Sequence, residues 1–186
     1  RDVSTSQKLQ YGLVTFQVII LLVFAGMAIG AVTSGGGFDP HMPTADWFNP
    51  FAVTDAAGVS AVSLVVMGVS ASVFMFWGWD VTLTMNEETR GGASTPGKAA
   101  TATVLIIFAV YLMLAVSLIA FAGVGDGEFG LGNEDIQDNV FFHLSGEVLG
   151  PIAWLVSLAV LSSSAASLQS TFVSPARTLL AMGHYK

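Results

Sequence analysis

The sequence predicts an all-α membrane protein with four transmembrane helices, the second of them discontinuous. Three observations carry this expectation. Hydrophobic residues make up 53% of the 186 positions and charged residues only 10%, against about 25% charged in an ordinary soluble domain. Four apolar segments are each long enough for a bilayer. The few positive charges fall only in alternate connecting regions, as membrane topology requires.

The segments follow in order. The first span, about residues 9–32, has the uncharged core Tyr11 to Val32, whose 22 residues reach roughly 33 Å as a helix. The second, about 59–87, holds Asp80 within its apolar run from Val59 to Met85. The third, about 98–124, is uncharged from Ala99 onward, and the fourth, about 148–182, is uncharged from Val148 to Val173. A mean hydropathy of +0.71 is too high for one water-facing core. At membrane depth backbone polar groups must pair within each segment, so the spans read as helices. All 186 residues form one membrane domain, with outer loops at 33–58 and 125–147.

Charge sets the orientation. Arg1 and Lys8 precede the first span, Arg90 and Lys98 join the second to the third, and Arg177 and Lys186 end the fourth. The two outer loops carry nine acidic residues and no Lys or Arg. The positive-inside bias therefore places both ends of a multi-pass protein in the cytoplasm. The formal charge of −7 sits in loops, and no basic patch suits a nucleic acid. With no cysteine there is neither a disulfide framework nor a thiolate metal site. The chain starts on Arg1 and ends on Lys186 directly after an apolar run, so it is expected to be a piece of a longer protein. Residues 134–145 show helical spacing of Ile136, Val140, Phe141 and Leu144 and predict one short amphipathic helix.

The second span carries the chemistry. Phe74, Phe76, Trp77 and Trp79 crowd around Gly78, and Asp80 follows. A charge in a membrane helix costs roughly 2.5–3.5 kcal/mol on insertion scales, so it faces protein or water. Gly78 with Asp80 suggests a helix break, because Asp is a favoured N-cap for a second half-helix. Carbonyls at the end of the first half attract an ammonium group, and the N-terminus of the second attracts a carboxylate. The competing reading makes these aromatics packing residues and Asp80 an interfacial one. Glu87 and Glu88 begin the inner loop, as a solvated turn or as a cytoplasmic gate contact. Ser163, Ser164 and Ser167 lie in a small-residue stretch that suits close helix packing or the oxygen ligands of a sodium ion. Gln17, polar and deep in the first span, is read as an interhelical hydrogen-bonding residue. His41, His143 and His184 lack metal-ligand spacing, no resident metal or organic cofactor is expected, and no nucleophile–base or phosphate-cradling motif is present.

Several of these runs resemble a known family. Phe74-Met75-Phe76-Trp77-Gly78-Trp79-Asp80, Asn86-Glu87-Glu88-Thr89-Arg90 and Pro96-Gly97-Lys98 are similar to the sixth helix and following loop of the amino acid–polyamine–organocation permeases. The tail from Ser174 to Met182 resembles the inner end of their eighth helix, and Ser6 to Gln10 the start of their fifth. The resemblance implies that the four spans are helices five to eight of a twelve-helix, LeuT-type inverted-repeat transporter. It implies secondary active transport of an amino acid or related amine by alternating access, with the solute near Gly78. The plasma membrane would be its location. The bilayer, the solute and the remaining permease helices would be its partners, and a proton or sodium its coupling ion. Some proton-coupled members carry a lysine where Gln17 falls, and an amide offers no titratable proton there. Two rivals stand beside this reading. A non-transporting membrane structural subunit predicts an unbroken second helix. A membrane-embedded enzyme predicts Asp80 within reach of His184 or Glu87.

Overall fold

A computed structural model describes residues 3–49, 51, 60–76 and 94–184. Among them every regular element is helical. The helices are α1 (Val3–Thr33), α2 (Ala61–Met75), α3 (Thr95–Ala122), α4 (Glu134–Gln137), α5 (Val140–Leu149) and α6 (Trp154–His184), with 3-10 turns at Ala45–Phe48 and Gly150–Ile152. Two stretches are long and apolar enough to cross a bilayer, Lys8–Thr33 with 26 residues and Thr95–Ala122 with 28. At 1.5 Å per residue they reach about 39 and 42 Å, against a hydrocarbon core of about 30 Å. Ala61–Met75, Val140–Ile152 and Trp154–Leu168 are shorter apolar helical stretches.

The chain divides into two compact units, one of residues 1–41 and 112–186 and the other of residues 42–111. In the first, α1 packs along α6 and against α5. Its inward stripe is Ile20, Phe24, Ala25, Ala28 and Val32, repeating at helical spacing. Phe24 is fully enclosed and meets Phe141 of α5 edge to face, with ring centroids 5.5 Å apart. The opposite side of α1 is also apolar, with Ile19, Leu22, Val23 and Met27 exposed. A helix apolar on both sides suits lipid or further helices rather than water.

The segment after α1 is tied to the C-terminal end of α3 by backbone. The amides of Phe38 and His41 donate to the carbonyls of Phe121 and Ala120, at 2.9 and 3.0 Å. Phe38 stacks on Phe129 and meets Phe121 edge-on. Gly123 ends α3 with φ +70°, the left-handed conformation that caps many helices and favours glycine.

In the second unit Ser60 caps α2, its Oγ accepting from the amide of Ser63 at 3.2 Å. The hydroxyls of Ser70 and Ser72 donate to the carbonyls of Val66 and Gly68. Thr101 and Thr103 do the same on α3. Such back-bonding supplies a partner within the helix, so hydroxyls can enter an apolar setting. No described residue of α2 is buried.

Two boundaries differ from expectation. The amphipathic helix expected over 134–145 is two pieces, α4 and α5, parted at Asp138 and Asn139, and α5 continues to Leu149. Asn139 leaves helical geometry with φ −142° and ψ 42°, in line with the preference of Asn for caps and turns. The fourth span, expected from Val148, starts as a continuous helix only at Trp154. Gly150 at φ +55° and Pro151 in a 3-10 turn separate it from α5, since proline offers no amide to a continuing ladder.

Candidate functional site

The expected solute site begins where α2 ends. Phe74 lies in the last turn of α2 with its side chain largely exposed. Phe76 caps the helix, its amide donating to the carbonyl of Ser72 at 3.0 Å. The ring of Phe76 faces Tyr111 at a centroid distance of 5.8 Å and Phe108 at 6.2 Å, both on α3. Trp77, Gly78, Trp79 and Asp80 lie outside the described residues, as do Glu87 and Glu88.

Depth follows from these contacts. The 15 residues of α2 rise about 22 Å, short of a full crossing. Phe108 is the fourteenth of the 28 residues of α3, about 20 Å from either end of that helix. The α2 terminus thus meets α3 at its midpoint. The C-terminal carbonyls of a helix carry its partial negative charge, and aromatic faces attract cations. A helix C-terminus beside three aromatic rings therefore favours a positively charged group.

Tyr111 and Phe108 are absent from the sequence-derived set. Each sits in an unbroken apolar run, more than 30 positions from Phe76, so only their packing brings them to this terminus.

In the other unit, Ser163, Ser164 and Ser167 line one shallow depression of about 450 Å³ with Leu168 and Thr171. The Ser164 and Thr171 hydroxyls donate to the carbonyls of Val160 and Ser167, at 3.1 and 2.9 Å. Their protons are engaged within α6, so these hydroxyls can serve other groups only as acceptors. Gln17 on α1 has a buried Oε1 with no hydrogen-bond partner among the described residues. A cavity of about 910 Å³, not foreseen from sequence, is walled by Leu118, Phe141 and Val156 with Gln137 and Asp138 on its lining.

No curated protein and no solved structure matches the chain. A family model described as amino acid permease matches residues 1–185. Matched over nearly its whole length by that family, and with two described apolar helices of membrane-crossing length, the chain belongs to the amino acid permease family.

Proposed function

We propose that the chain forms part of a secondary active transporter that moves an amino acid or related amine by alternating access, with the solute held where its second span is interrupted. The chain is a membrane protein of an amino acid transport family and not an enzyme. In the proposed arrangement it crosses the plasma membrane four times with both ends in the cytoplasm. The spans correspond to helices five to eight of a LeuT-type fold, and further helices of the permease complete the site.

One observation supports this best. Helix α2 ends after 15 residues, and its terminal Phe76 lies against the middle of a 28-residue apolar helix. A helix end at mid-membrane depth is tolerated where protein or a watery cavity takes up its polar groups. In this reading Phe74, Phe76, Trp77 and Trp79 shape the pocket, Gly78 permits the break and Asp80 caps the inner half-helix. Glu87 and Glu88 gate the cytoplasmic side. The hydroxyl oxygens of Ser163, Ser164 and Ser167, which line one depression, would offer ligands to a coupling sodium ion, while a proton would need another carrier than Gln17.

The test is uptake of labelled amino acids by the intact transporter in proteoliposomes, wild type against Gly78→Leu and Phe76→Ala. Loss of uptake in both, with melting temperature kept, is the expected result. Full uptake in both would return the structural-subunit reading.

A further inference from the structure

We infer that Tyr111 is a specificity-determining residue of the solute site, its phenol oxygen accepting a hydrogen bond from the ammonium group of the transported amino acid. The inference rests on the solute site proposed above and names a contact on it that the sequence motifs do not contain.

Position comes first. Tyr111 is the seventeenth of the 28 residues of α3, about 24 Å from the helix start and about 17 Å from its end. That places it well inside a hydrocarbon core about 30 Å thick. A phenylalanine would suit this depth, and Phe108 one turn earlier is one. A tyrosine adds a hydroxyl that needs a partner there. Among the described residues no hydrogen bond reaches that hydroxyl, and 40% of the residue is exposed.

The surroundings select the partner. The Tyr111 ring lies 5.8 Å from Phe76, the residue that caps the C-terminus of α2. The partial negative charge of that terminus repels a carboxylate and attracts a cation. Rings of Phe76, Phe108 and Tyr111 add faces of negative potential. A primary ammonium has three N–H donors and no acceptor, so it matches the phenol oxygen, the helix terminus and the ring faces together. The carboxylate end of the same solute points away from this wall.

The experiment uses the full-length transporter in proteoliposomes. Tyr111→Phe keeps the ring and removes the oxygen. It is expected to raise KM for the amino acid about tenfold, as loss of a hydrogen bond to a charged group does, with Vmax little changed. Inhibition by the corresponding amine, which lacks the carboxylate, is expected to weaken by a similar factor. Inhibition by the corresponding carboxylic acid, which lacks the amine, is expected to stay as it was. A Tyr111→Cys protein, made without other cysteines, is expected to react with a thiol reagent and to be protected by solute. Unchanged KM and unchanged amine inhibition in Tyr111→Phe overturn the inference, even where its melting temperature falls, because the hydroxyl then only packs. Tyr111→Cys reactivity indifferent to solute overturns it as well. If Phe76→Ala loses uptake while the Tyr111 variants behave as wild type, the Tyr111 contact fails alone. If Phe76→Ala and Gly78→Leu also transport normally, the broken-helix site itself has failed.

Discussion

Asp39 occupies the space that a side chain on Gly123 would need: a Cβ built on Gly123 lies 2.6 Å from Asp39 Oδ2 and 2.8 Å from Asp39 Cβ. The loop after α1 therefore seats directly on the residue that ends α3. Gly123 also has φ +70°, so two separate constraints select glycine there. Gly123→Ala is expected to lower the stability of the purified transporter by about 1–3 kcal/mol, combining left-handed strain with the clash. Adding Asp39→Gly is expected to recover the steric part and leave the strain. Thermal unfolding of the single and double variants measures both. An unchanged melting temperature in Gly123→Ala would show that the two segments do not meet this way.

Phe24 is the largest fully enclosed side chain of α1, and its edge contact with Phe141 fastens α5 to that helix. Phe24→Ala is expected to cost about 3–5 kcal/mol, the usual range for deleting a buried aromatic ring. Phe142→Ala, on the exposed neighbour of Phe141, is expected to stay within about 0.5 kcal/mol. Melting temperatures of the two variants in one detergent supply the comparison, and equal losses would contradict the assignment of Phe24 to the packed side.

Much of the architecture is legible in the residue pattern, and the reasons are physical. Runs such as Tyr11 to Val32 and Ala99 to Val124 are uncharged throughout and mostly apolar, and only helices satisfy their backbones in hydrocarbon. Helices lie over both runs, α1 at Val3–Thr33 and α3 at Thr95–Ala122, the first starting six residues before the expected 9. Short-range punctuation is legible only in part. Asn139 and the Gly150-Pro151 pair are turn-forming residues, yet helical spacing of Val140, Phe141 and Leu144 masks the first break. Contacts between distant segments are not legible. Phe76 meets Tyr111 because two helices pack, and nothing in the local composition around Tyr111 separates it from a lipid-facing tyrosine. For Trp77 to Asp80 the sequence motif remains the support, since they lie outside the described residues.

Gln17 is the polar exception on an apolar helix. Its buried Oε1 has no partner among the described residues, and an unmade hydrogen bond at that position costs about 1–3 kcal/mol. In the complete transporter the amide is expected to bond to another helix. Gln17→Leu should then destabilise by about 1 kcal/mol, in keeping with interhelical bonds in membranes. Because an amide does not titrate, the pH profile of uptake is expected to keep its midpoint in Gln17→Leu. A more stable Gln17→Leu protein would show that the amide has no partner, and a displaced midpoint would show that it touches a proton carrier.

Topology is open to a direct chemical test, because none of the 186 residues is cysteine. Thr44 is exposed and makes no side-chain cap, and a Cβ on Gly127 meets nothing within 4 Å. Thiols at these two positions therefore fit without repacking. Ser94, exposed before α3, lies in the region that carries Arg90 and Lys98. If positive charge marks the cytoplasmic side, Thr44→Cys and Gly127→Cys are expected to react with a membrane-impermeant maleimide in intact cells. Ser94→Cys is expected to react only after the cells are opened. The two acidic loops must behave alike, because an even number of crossings separates them. Labelling of one and protection of the other would require an odd number, and the four-span reading would fall with the pairing of its loops.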